Sequence, residues 1–394
     1  MPGRKDFFNH PAAHTLAKSG IVADYFARWA AKLVQSPAGK IVYLDLFCGP
    51  GEFDDGTPST PLLVLRTVLN PPPEHRQRLE VRKRLLERLQ CVYNDVDPQH
   101  VEQLKEKVEA LANYTLLAHK PLFYTRKVEQ GGLAKWRMVV GEHPTLLFFD
   151  PYGYKEVDLQ GIDEFIGPYG SECILFLNYH ALRRAASNPL MSGHVKEVLG
   201  GDAVEKFLAS DDEDSTPDAN EAKRIILQRI KDRLTQRHGR YVLPFELATE
   251  QGSTFHIVHV TKRFEGHDLM RDRMARHSVP EWSPKSPESV PSFQYVEKSQ
   301  LWLIAPSFFQ GRTIDALARS LLEASGEYSP SISFKELYER HSPGRLYVKQ
   351  NYKAAVRLLV ERGEARVEKD GSEYSRKKLQ AGKLPDACVI VWNR

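Results

Sequence analysis

Three aspartates stand where apolar runs of the sequence end, and they define the candidate site. Asp45 follows "KIVYL", Asp95 follows "CVYN" and Asp150 follows "TLLFF". Short apolar runs of this kind are typical of buried parallel strands. Ligands of open α/β sheets bind outside the carboxyl ends of the strands. We therefore expect the three carboxylates to share one edge of a sheet and to form a nucleotide-like site.

The loop after Asp45 contains two glycines, Gly49 and Gly51, in the stretch "LFCGPGEFDDG". Glycine lets a backbone turn sharply and approach a ligand without a Cβ clash. A dinucleotide site would place helix N–H groups against a pyrophosphate at this point, but here the acids of "EFDD" follow. An anionic ligand is therefore disfavoured, and a cationic one, such as a sulfonium that carries an ammonium group, fits better. A Gly-Pro-Gly turn without any ligand is the alternative.

The second and third strands supply two further candidates for holding the ligand. Asp95 is placed to bind a ribose hydroxyl, although it follows Asp45 by 50 residues, against about 20 in the dinucleotide fingerprint. Glu129, after the predicted third strand, would approach an adenine. The alternative for Asp95 is that it caps the helix that begins at Pro98.

Asp150 and Pro151 follow the fourth predicted strand. A carboxylate at the reactive edge of the sheet can accept a proton or a hydrogen bond from a substrate amine. The pair could instead start a turn. Phe47, in the loop after the first strand, is a further candidate for lining the ligand site.

Alternating strands and helices are predicted to position these residues. Helical spacing of apolar residues predicts a leading helix over 13–33 and helices over 60–69 and 98–111. The five strands are predicted at "KIVYLDLF", "CVYNDVD", "LFYTRKV", "TLLFFDPYG" and "ECILFLNY". This alternation indicates an α/β fold with a parallel sheet. Beyond it, helices over about 181–207 and 222–238 precede an antiparallel pair, "YVLPFELA" and "TFHIVHVT".

The chain is predicted to contain two domains joined by a linker. Residues 277–300 carry four prolines among polar residues, which is typical of a linker. The first domain is therefore expected over 1–276 and the second over 301–394. The second shows three helical patterns followed by the hairpin "ARVEKDGSEYS", which predicts a winged helix-turn-helix.

The C-terminal part of the chain is basic. Residues 331–394 carry 14 Lys and Arg against 8 Asp and Glu, although the whole chain has a net charge of only +4. Such a tail indicates an anionic partner, nucleic acid first. The predicted third helix would place basic residues on phosphates and an asparagine on a base edge; the candidates are Arg345, Lys349, Asn351, Lys353 and Arg357. Docking of a protein is the alternative.

Several classes of protein are disfavoured. No apolar run approaches the roughly 18 residues of a membrane span, and the N-terminus lacks the apolar region of a secretory signal. Four cysteines lie far apart, which indicates neither a zinc site nor a disulfide framework and suits the cytoplasm. His256 and His259 would point to opposite faces of a strand, so no metal site is expected. Cys48 is expected to be a packed residue.

These features together resemble class I S-adenosylmethionine-dependent methyltransferases. "YLDLFCGPG" is similar to their first motif, Asp95 to their ribose acid and "DPYG" to their fourth motif. More narrowly, the chain resembles the three-Cys-motif partner protein family, through the segments "HTLAKSGIVADYFARW", "YLDLFCGPGEFDDGTPSTPLLVL", "FFDPYG" and "FHIVHVTKRFEGHDLMRDRM" and the winged-helix tail. The resemblance covers nearly the whole chain.

The resemblance implies a Rossmann-like sheet, bound S-adenosylmethionine and association with a three-cysteine protein. It also implies roles for Asp150, Pro151 and Tyr152, because methyltransferases acting on base amines carry an acid or amide, two prolines and an aromatic residue at this point. Asp150 would hold the target amine and Tyr152 would stack on a flipped base. This sequence is one proline shorter than that motif. A non-catalytic adapter that keeps the fold, and a protein methyltransferase, are therefore the alternatives.

Overall fold

The chain divides into two compact units, Met1–Arg273 and Met274–Arg394. The computed structural model describes residues 11–37, 39–73, 78–129, 131–151, 156–209, 217–248, 254–278, 289–295, 312–328 and 330–393. Most of the linker predicted over 277–300 lies outside the described residues.

The first unit is built on a mixed sheet in which parallel pairs predominate. Its strands are β1 (Ile41–Asp45), β2 (Leu89–Asn94), β3 (Leu122–Tyr124), β4 (Thr145–Phe149), β5 (Glu172–Asn178), β6 (Tyr241–Ala248) and β7 (Thr254–Thr261). Within the unit they lie in the order β3-β2-β1-β4-β5-β7-β6. The pairs from β3 to β5 are parallel, whereas β7 runs antiparallel to both β5 and β6. The predicted α/β class and the predicted antiparallel pair are confirmed.

The strand order reverses between β1 and β4. The chain moves outward from β1 to β2 and β3, and then returns to the other side of β1 with β4. In the register of this pair, Asp45 lies opposite Phe148, so both strands end at the same edge of the sheet. Such a switch point opens a crevice outside the carboxyl ends of the strands. The fold therefore places the ends of β1 and β4 where a ligand can enter.

Helices cover both faces of this sheet. They are α1 (Ala13–Leu33), α2 (Thr60–Leu69), α3 (Leu79–Arg88), α4 (Pro98–Glu109), α5 (Leu133–Val140), α6 (Leu159–Phe165), α7 (Tyr179–Ser187), α8 (Ser192–Leu199), α9 (Gly201–Ala209), α10 (Pro217–Leu234) and α11 (Phe264–Arg276), with a short 3₁₀ helix at Tyr114–Leu116. The predicted bounds of α1 and α2 agree with the structure to the residue. Their regular apolar spacing explains this, because each helix buries one continuous face.

The core lies between the sheet and these helices. All five residues of β1 are buried, as are all five of β4, so the centre of the sheet is covered on both faces as expected of parallel strands. One buried carboxylate fixes the turn after α10: Asp163 accepts hydrogen bonds from the backbone N–H groups of Arg237, His238 and Gly239 at 2.7, 2.9 and 2.6 Å. These bonds connect α6 to the turn that leads into β6.

The second unit combines helices with a small antiparallel sheet. Its elements are β8 (Gln294–Tyr295), α12 (Ile314–Glu323), a 3₁₀ helix (Ala324–Tyr328), β9 (Ser331–Ser333), α13 (Phe334–His341), α14 (Lys349–Glu361), β10 (Ala365–Lys369), β11 (Ser372–Glu373), α15 (Arg376–Gln380) and β12 (Val389–Trp392). Four strands pair in the order β11-β10-β12-β9.

Local sequence explains two of the joints in this unit. Ser333 caps α13 by accepting a hydrogen bond from Glu336 N at 3.1 Å. The predicted hairpin turn between β10 and β11 places Asp370 and Gly371 at φ values of 54° and 76°, as a tight hairpin turn of Asp-Gly type requires.

Candidate functional site

A pocket opens at the carboxyl ends of β1, β4 and β5, at the switch point of the sheet. Its floor comes from Asp45, Phe148 and Asp150, and the loop after β1 forms one side. The first turns of α1 and α2 and the beginning of β7 close the remaining sides. The sequence-predicted Asp45, Phe47, Gly49, Asp150 and Pro151 all line this pocket.

Asp45 is an acid held in an apolar setting. Only 1% of the residue is exposed, and its carboxylate accepts hydrogen bonds from Phe47 N at 3.2 Å and from the Tyr43 hydroxyl at 3.3 Å. Burial raises the pKa of Asp45 from 3.8 to about 7, the backbone N–H of Phe47 opposes this, and the nearby Asp150 carboxylate adds to it. A cation bound in the pocket would stabilise the ionised form of Asp45, since an opposite charge within a few ångströms favours ionisation.

Asp150 forms an ion pair with Lys18 of α1. Lys18 Nζ lies 2.5 Å from Asp150 Oδ2, and the two side chains are 8% and 23% exposed. The same Nζ lies 4.3 Å from the centroid of the Phe176 ring. The pair is therefore only partly open to solvent, with Asp150 as the more accessible member.

Aromatic rings form a stack on the wall opposite the glycine loop. His14 stacks on Phe255 with centroids 4.5 Å apart and an angle of 12° between the planes, and Phe255 stacks on Phe176 at 5.3 Å and 14°. Burial, with the charge of Lys18, lowers the pKa of His14 to about 4. The imidazole is therefore neutral at pH 7 and acts as a flat, weakly polar surface.

Asp95 lies behind the glycine loop and does not line the pocket. It is 1% exposed, and its two carboxylate oxygens accept hydrogen bonds from Gly49 N at 3.1 Å and Asp97 N at 2.9 Å. Asp97 caps α4 by accepting a bond from Gln99 N at 3.0 Å, so the cap that the sequence offered to Asp95 falls two residues later. Asp95 thus ties the loop after β1 to the end of β2.

Gly51 also has a structural role in the loop. Its φ is +87°, and a Cβ there would come within 2.7 Å of Leu104 Cδ1 on α4. Cys48 is buried and its N–H bonds to Asn94 O at 2.9 Å. Burial raises the pKa of its thiol well above the ordinary value, which agrees with the predicted packing role. The part of the loop from Cys48 to Gly51 is therefore closely packed against α4 and the end of β2.

The first turn of α2 presents polar groups to the pocket. Ser59 precedes the helix, and its side chain does not cap it. Ser59 Oγ is buried without a hydrogen-bond partner among the described residues. Thr60 is engaged, because its hydroxyl lies 2.9 Å from Ser19 Oγ. The N-terminus of a helix attracts anions, so this side of the pocket suits an anionic group of a ligand.

Glu129, which the sequence predicted near the adenine, is exposed on the loop after β3 and does not line the pocket. Tyr152 lies outside the described residues.

Several residues that line the pocket were not predicted from the sequence, among them His14, Lys18, Phe176, Asn178 and Phe255. One pattern could have identified Lys18, since it stands beside Ala17 and one turn before Ile21 and Val22 in the buried stripe of α1. Asn178 ends β5 in the same way that Asp45 ends β1, and it caps α7 through Ala181 N at 3.0 Å. The aromatic residues gave no such indication, because they also fit a core.

The residues predicted to bind nucleic acid on α14 are not arranged as expected. Asn351 is fully buried: its side chain accepts from Val348 N at 3.0 Å and donates to Ser289 O at 2.8 Å. Its predicted contact with a base edge is therefore wrong for this structure. Lys349 forms an ion pair with Asp386 at 2.7 Å, and Arg357 lies 3.6 Å from Glu361.

The remaining two candidates, Arg345 and Lys353, are also less available for a ligand than expected. Arg345 is exposed but donates to His341 O at 2.7 Å. Burial lowers the pKa of the half-buried Lys353. The helix therefore packs inside its unit and offers few free basic groups.

Comparison with known proteins gives only distant likenesses. No family model and no curated protein matches the chain. Among 22 matching solved chains is protein LPL1258 from Legionella pneumophila, at 12% identity and a TM-score of 0.36, over 67% of this chain and 93% of that one. The plantazolicin methyltransferases BamL and BpumL, both solved with SAH, match at 9% and 12% identity with TM-scores of 0.28 and 0.27, each over 63% of this chain and 86% of its own.

None of the described helices is both long and apolar enough to span a membrane. Within the same residues, no three His, Cys, Asp or Glu side chains are grouped so that they could hold a metal ion.

Proposed function

We propose that the protein is an S-adenosylmethionine-dependent methyltransferase whose cofactor binds in the pocket at the switch point. The observation that carries this proposal is that two carboxylates, Asp45 and Asp150, line one pocket at the ends of adjacent parallel strands, beside a glycine loop. The acids oppose a phosphate-bearing nucleotide and favour a cation. The antiparallel β7 also supports the proposal, because the resemblance to class I methyltransferases implies a reversed last strand.

The charges of the pocket match those of S-adenosylmethionine. Its ammonium and sulfonium groups would lie beside Asp45 and Asp150, which explains why Asp45 is kept in an apolar place where a positive charge would ionise it. Its carboxylate would lie against Lys18 and the first turn of α2, where Ser59 Oγ has no partner among the described residues. Phe47 and Pro50 supply apolar surface on the loop side.

The bound sulfonium would supply a methyl group that is open to attack by a nucleophile. An acceptor amine that takes up this methyl group must also lose a proton. Asp150 is the more exposed carboxylate of the pocket, so it is placed to accept a hydrogen bond from the amine and to receive that proton. Lys18 holds the Asp150 carboxylate in position at 2.5 Å.

We propose a base amine of nucleic acid as the acceptor. The stacked rings of His14, Phe255 and Phe176 provide flat surfaces beside Asp150, and a flipped base is read by stacking and by hydrogen bonds to its edge. The second unit, in which α12, α13 and α14 precede a hairpin and the composition is basic, would act as a winged helix that positions the substrate. Tyr152 remains a candidate for stacking on the base.

A non-catalytic adapter is the second candidate. It is favoured by the Lys18–Asp150 ion pair, which already occupies the carboxylate that the reaction requires. Such a protein would keep the fold and bind nucleic acid or a three-Cys-motif partner without methyl transfer.

Transfer of a labelled methyl group separates the two candidates. The protein is incubated with S-[methyl-¹⁴C]adenosylmethionine and total RNA or DNA, and radioactivity in the nucleic acid is counted. A methyltransferase labels one of these pools, and Asp150→Asn lowers the rate at least about 100-fold, as loss of general acid–base help does. The control Asp54→Asn removes an exposed acid from the loop between β1 and α2 and should leave the rate unchanged. Binding of the cofactor without label transfer to RNA, DNA or co-purifying protein supports the adapter.

A further inference from the structure

The second unit carries an exposed basic surface that α14 does not share. Residues 375–384, "SRKKLQAGKL", contain four cationic side chains and no acid. Arg376, Lys377, Lys378 and Lys383 are all exposed. We name these ten residues the basic segment.

The basic segment is a fixed part of the fold. Leu379 and Leu384 are 3% and 1% exposed, so apolar side chains anchor it within and at its end. The backbone N–H of Lys383 donates to Lys378 O at 3.0 Å, and Gly382, with φ of +70°, closes the turn by donating to Leu379 O at 2.9 Å. The chain therefore folds back so that Lys383 lies beside Lys378.

The acids that flank the basic segment are already neutralised. Glu373 lies 3.5 Å from Arg376, and Asp386 lies 2.7 Å from Lys349. Lys377, Lys378 and Lys383 have no carboxylate within ion-pair distance among the described residues. Three cations thus project from one small, ordered surface next to the hairpin of β10 and β11, whose Tyr374 N donates to Val367 O at 2.7 Å.

We propose that the basic segment is the surface through which the second unit binds the phosphate backbone of nucleic acid. A lysine is a compact point charge on a flexible stem, which suits phosphates and carries no sequence information. The proposal rests on the proposed function in taking nucleic acid as the partner. In this proposal the second unit contacts the phosphate backbone through the basic segment, and Asn351 does not contact a base.

The observations favour nucleic acid over the other anionic partners. A helix that docks on a membrane buries large apolar side chains in the lipid, and no exposed large apolar side chain is found in the described part of the second unit. Protein interfaces are depleted in lysine and are enriched in aromatic residues and arginine. A surface of three lysines and one arginine therefore fits phosphates better than lipid or protein.

The salt dependence of binding tests the proposal. Full-length protein is titrated without cofactor into a fluorescein-labelled 20-base-pair DNA duplex and into a single-stranded RNA of equal length, between 50 and 200 mM KCl, with fluorescence anisotropy as the readout. The variant carries Lys377→Gln, Lys378→Gln and Lys383→Gln. The slope of log K against log salt is negative, and each lost phosphate contact reduces its magnitude by about 0.9 on duplex DNA and by about 0.7 on single strands. We expect the magnitude to fall by roughly 2 to 3 on at least one of the two nucleic acids.

A matched control removes the same charge from elsewhere. Lys135→Gln, Lys206→Gln and Lys335→Gln change three exposed lysines outside the basic segment, and we expect less than about a third of that effect. Equal effects of the two triple variants, or no binding to either nucleic acid, overturn the proposal. Stronger lysine-dependent binding to vesicles of phosphatidylcholine with phosphatidylserine also overturns it, in favour of lipid. Binding of S-adenosylhomocysteine by the same preparations is measured separately, so failure of the cofactor site and failure of the basic segment are distinguishable.

Discussion

At the scale of a single residue, Asp45 affects both the stability of the fold and the proposed binding of the cofactor. An acid buried at the end of the central strand costs stability when it ionises, because burial disfavours the charged form. The fold retains it at 1% exposure with only two hydrogen bonds within 3.3 Å. A bound cation would supply compensation that these two hydrogen bonds do not. Asp45 is therefore a group whose ionisation and ligand binding are coupled.

That coupling predicts a pH dependence of cofactor binding. The pKa of Asp45 is raised to about 7, and a sulfonium lowers it, so the affinity for S-adenosylmethionine increases as pH rises from 5 to 7 and binding releases a proton. Calorimetry at several pH values, in buffers of different ionisation enthalpy, measures the released proton. Asp45→Asn should abolish the release. A wild-type affinity that stays flat over this range contradicts the coupling.

Lys18 is expected to recognise the amino-acid part of the cofactor. Lys18→Met keeps the length of the side chain but removes the charge beside Asp150. We expect about a 10- to 100-fold loss of affinity for S-adenosylhomocysteine, as for one charge-assisted hydrogen bond. Affinity for 5′-methylthioadenosine, which lacks the amino-acid part, should stay within about threefold. Equal losses for both ligands would mean that the substitution only disturbs the pocket.

At the scale of elements, the loop between β1 and α2 depends on close packing against α4. Gly51 adopts a positive φ of 87° and lies against Leu104, whereas Gly56 has a similar φ of 79° but open space, with no atom within 4 Å of the position that a Cβ would take. The two glycines therefore separate the cost of backbone strain from the cost of a steric clash.

Substituting each glycine by alanine tests this packing. Gly56→Ala should cost only the backbone strain of roughly 1–2 kcal/mol, and Gly51→Ala should cost about 1–3 kcal/mol more because the Cβ displaces Leu104. Urea unfolding followed by far-UV circular dichroism gives the free energies of unfolding. Equal destabilisation by the two substitutions would show that the loop can move away from α4.

Elements with one continuous apolar stripe could be predicted from the sequence, and residues placed by tertiary contacts could not. The apolar pattern of α1 and α2 predicted the first and last residue of both helices. The predicted ends of β1 and β4 identified Asp45 and Asp150. Asp95 was considered as a cap of α4, but Asp97 is the cap, and the bond from Gly49 N to Asp95 is a tertiary contact that the sequence does not predict. On α14, Asn351 was expected to contact a base edge, but it lies one turn before Ala355 and is buried with it on the packed face of the helix.

At the scale of the whole molecule, buried titratable groups of the first unit give opposing pH effects. Burial lowers the pKa of His14 to about 4 and that of His256 to about 3, from 6.5. Between about pH 4 and 6.5 the unfolded chain binds these protons and the folded chain does not, so stability falls as pH decreases. Asp45 acts oppositely, because its folded pKa of about 7 exceeds its ordinary 3.8.

Burial also lowers the pKa of His267 well below 6.5, so three histidines oppose one aspartate and the first unit should be less stable at pH 5 than at pH 6.5. The expected slope is about 1.4 kcal/mol per pH unit for each net proton. Urea unfolding at the two pH values measures the difference. The double variant His14→Gln, His256→Gln leaves His267 and Asp45 with opposite effects of similar size, so its stability should change little between the two pH values. A slope that is the same in both proteins contradicts the assignment.

The central claim is that the pocket at the ends of β1 and β4 binds S-adenosylmethionine, and a calorimetric titration with S-adenosylhomocysteine and S-adenosylmethionine tests it most directly. We predict saturable 1:1 binding of both, tighter for the cationic S-adenosylmethionine at pH 7. Asp45→Asn should weaken S-adenosylmethionine binding at least about tenfold, and Asp54→Asn should leave it unchanged. Absence of binding to the wild-type protein, or binding that Asp45→Asn does not affect, would contradict the claim.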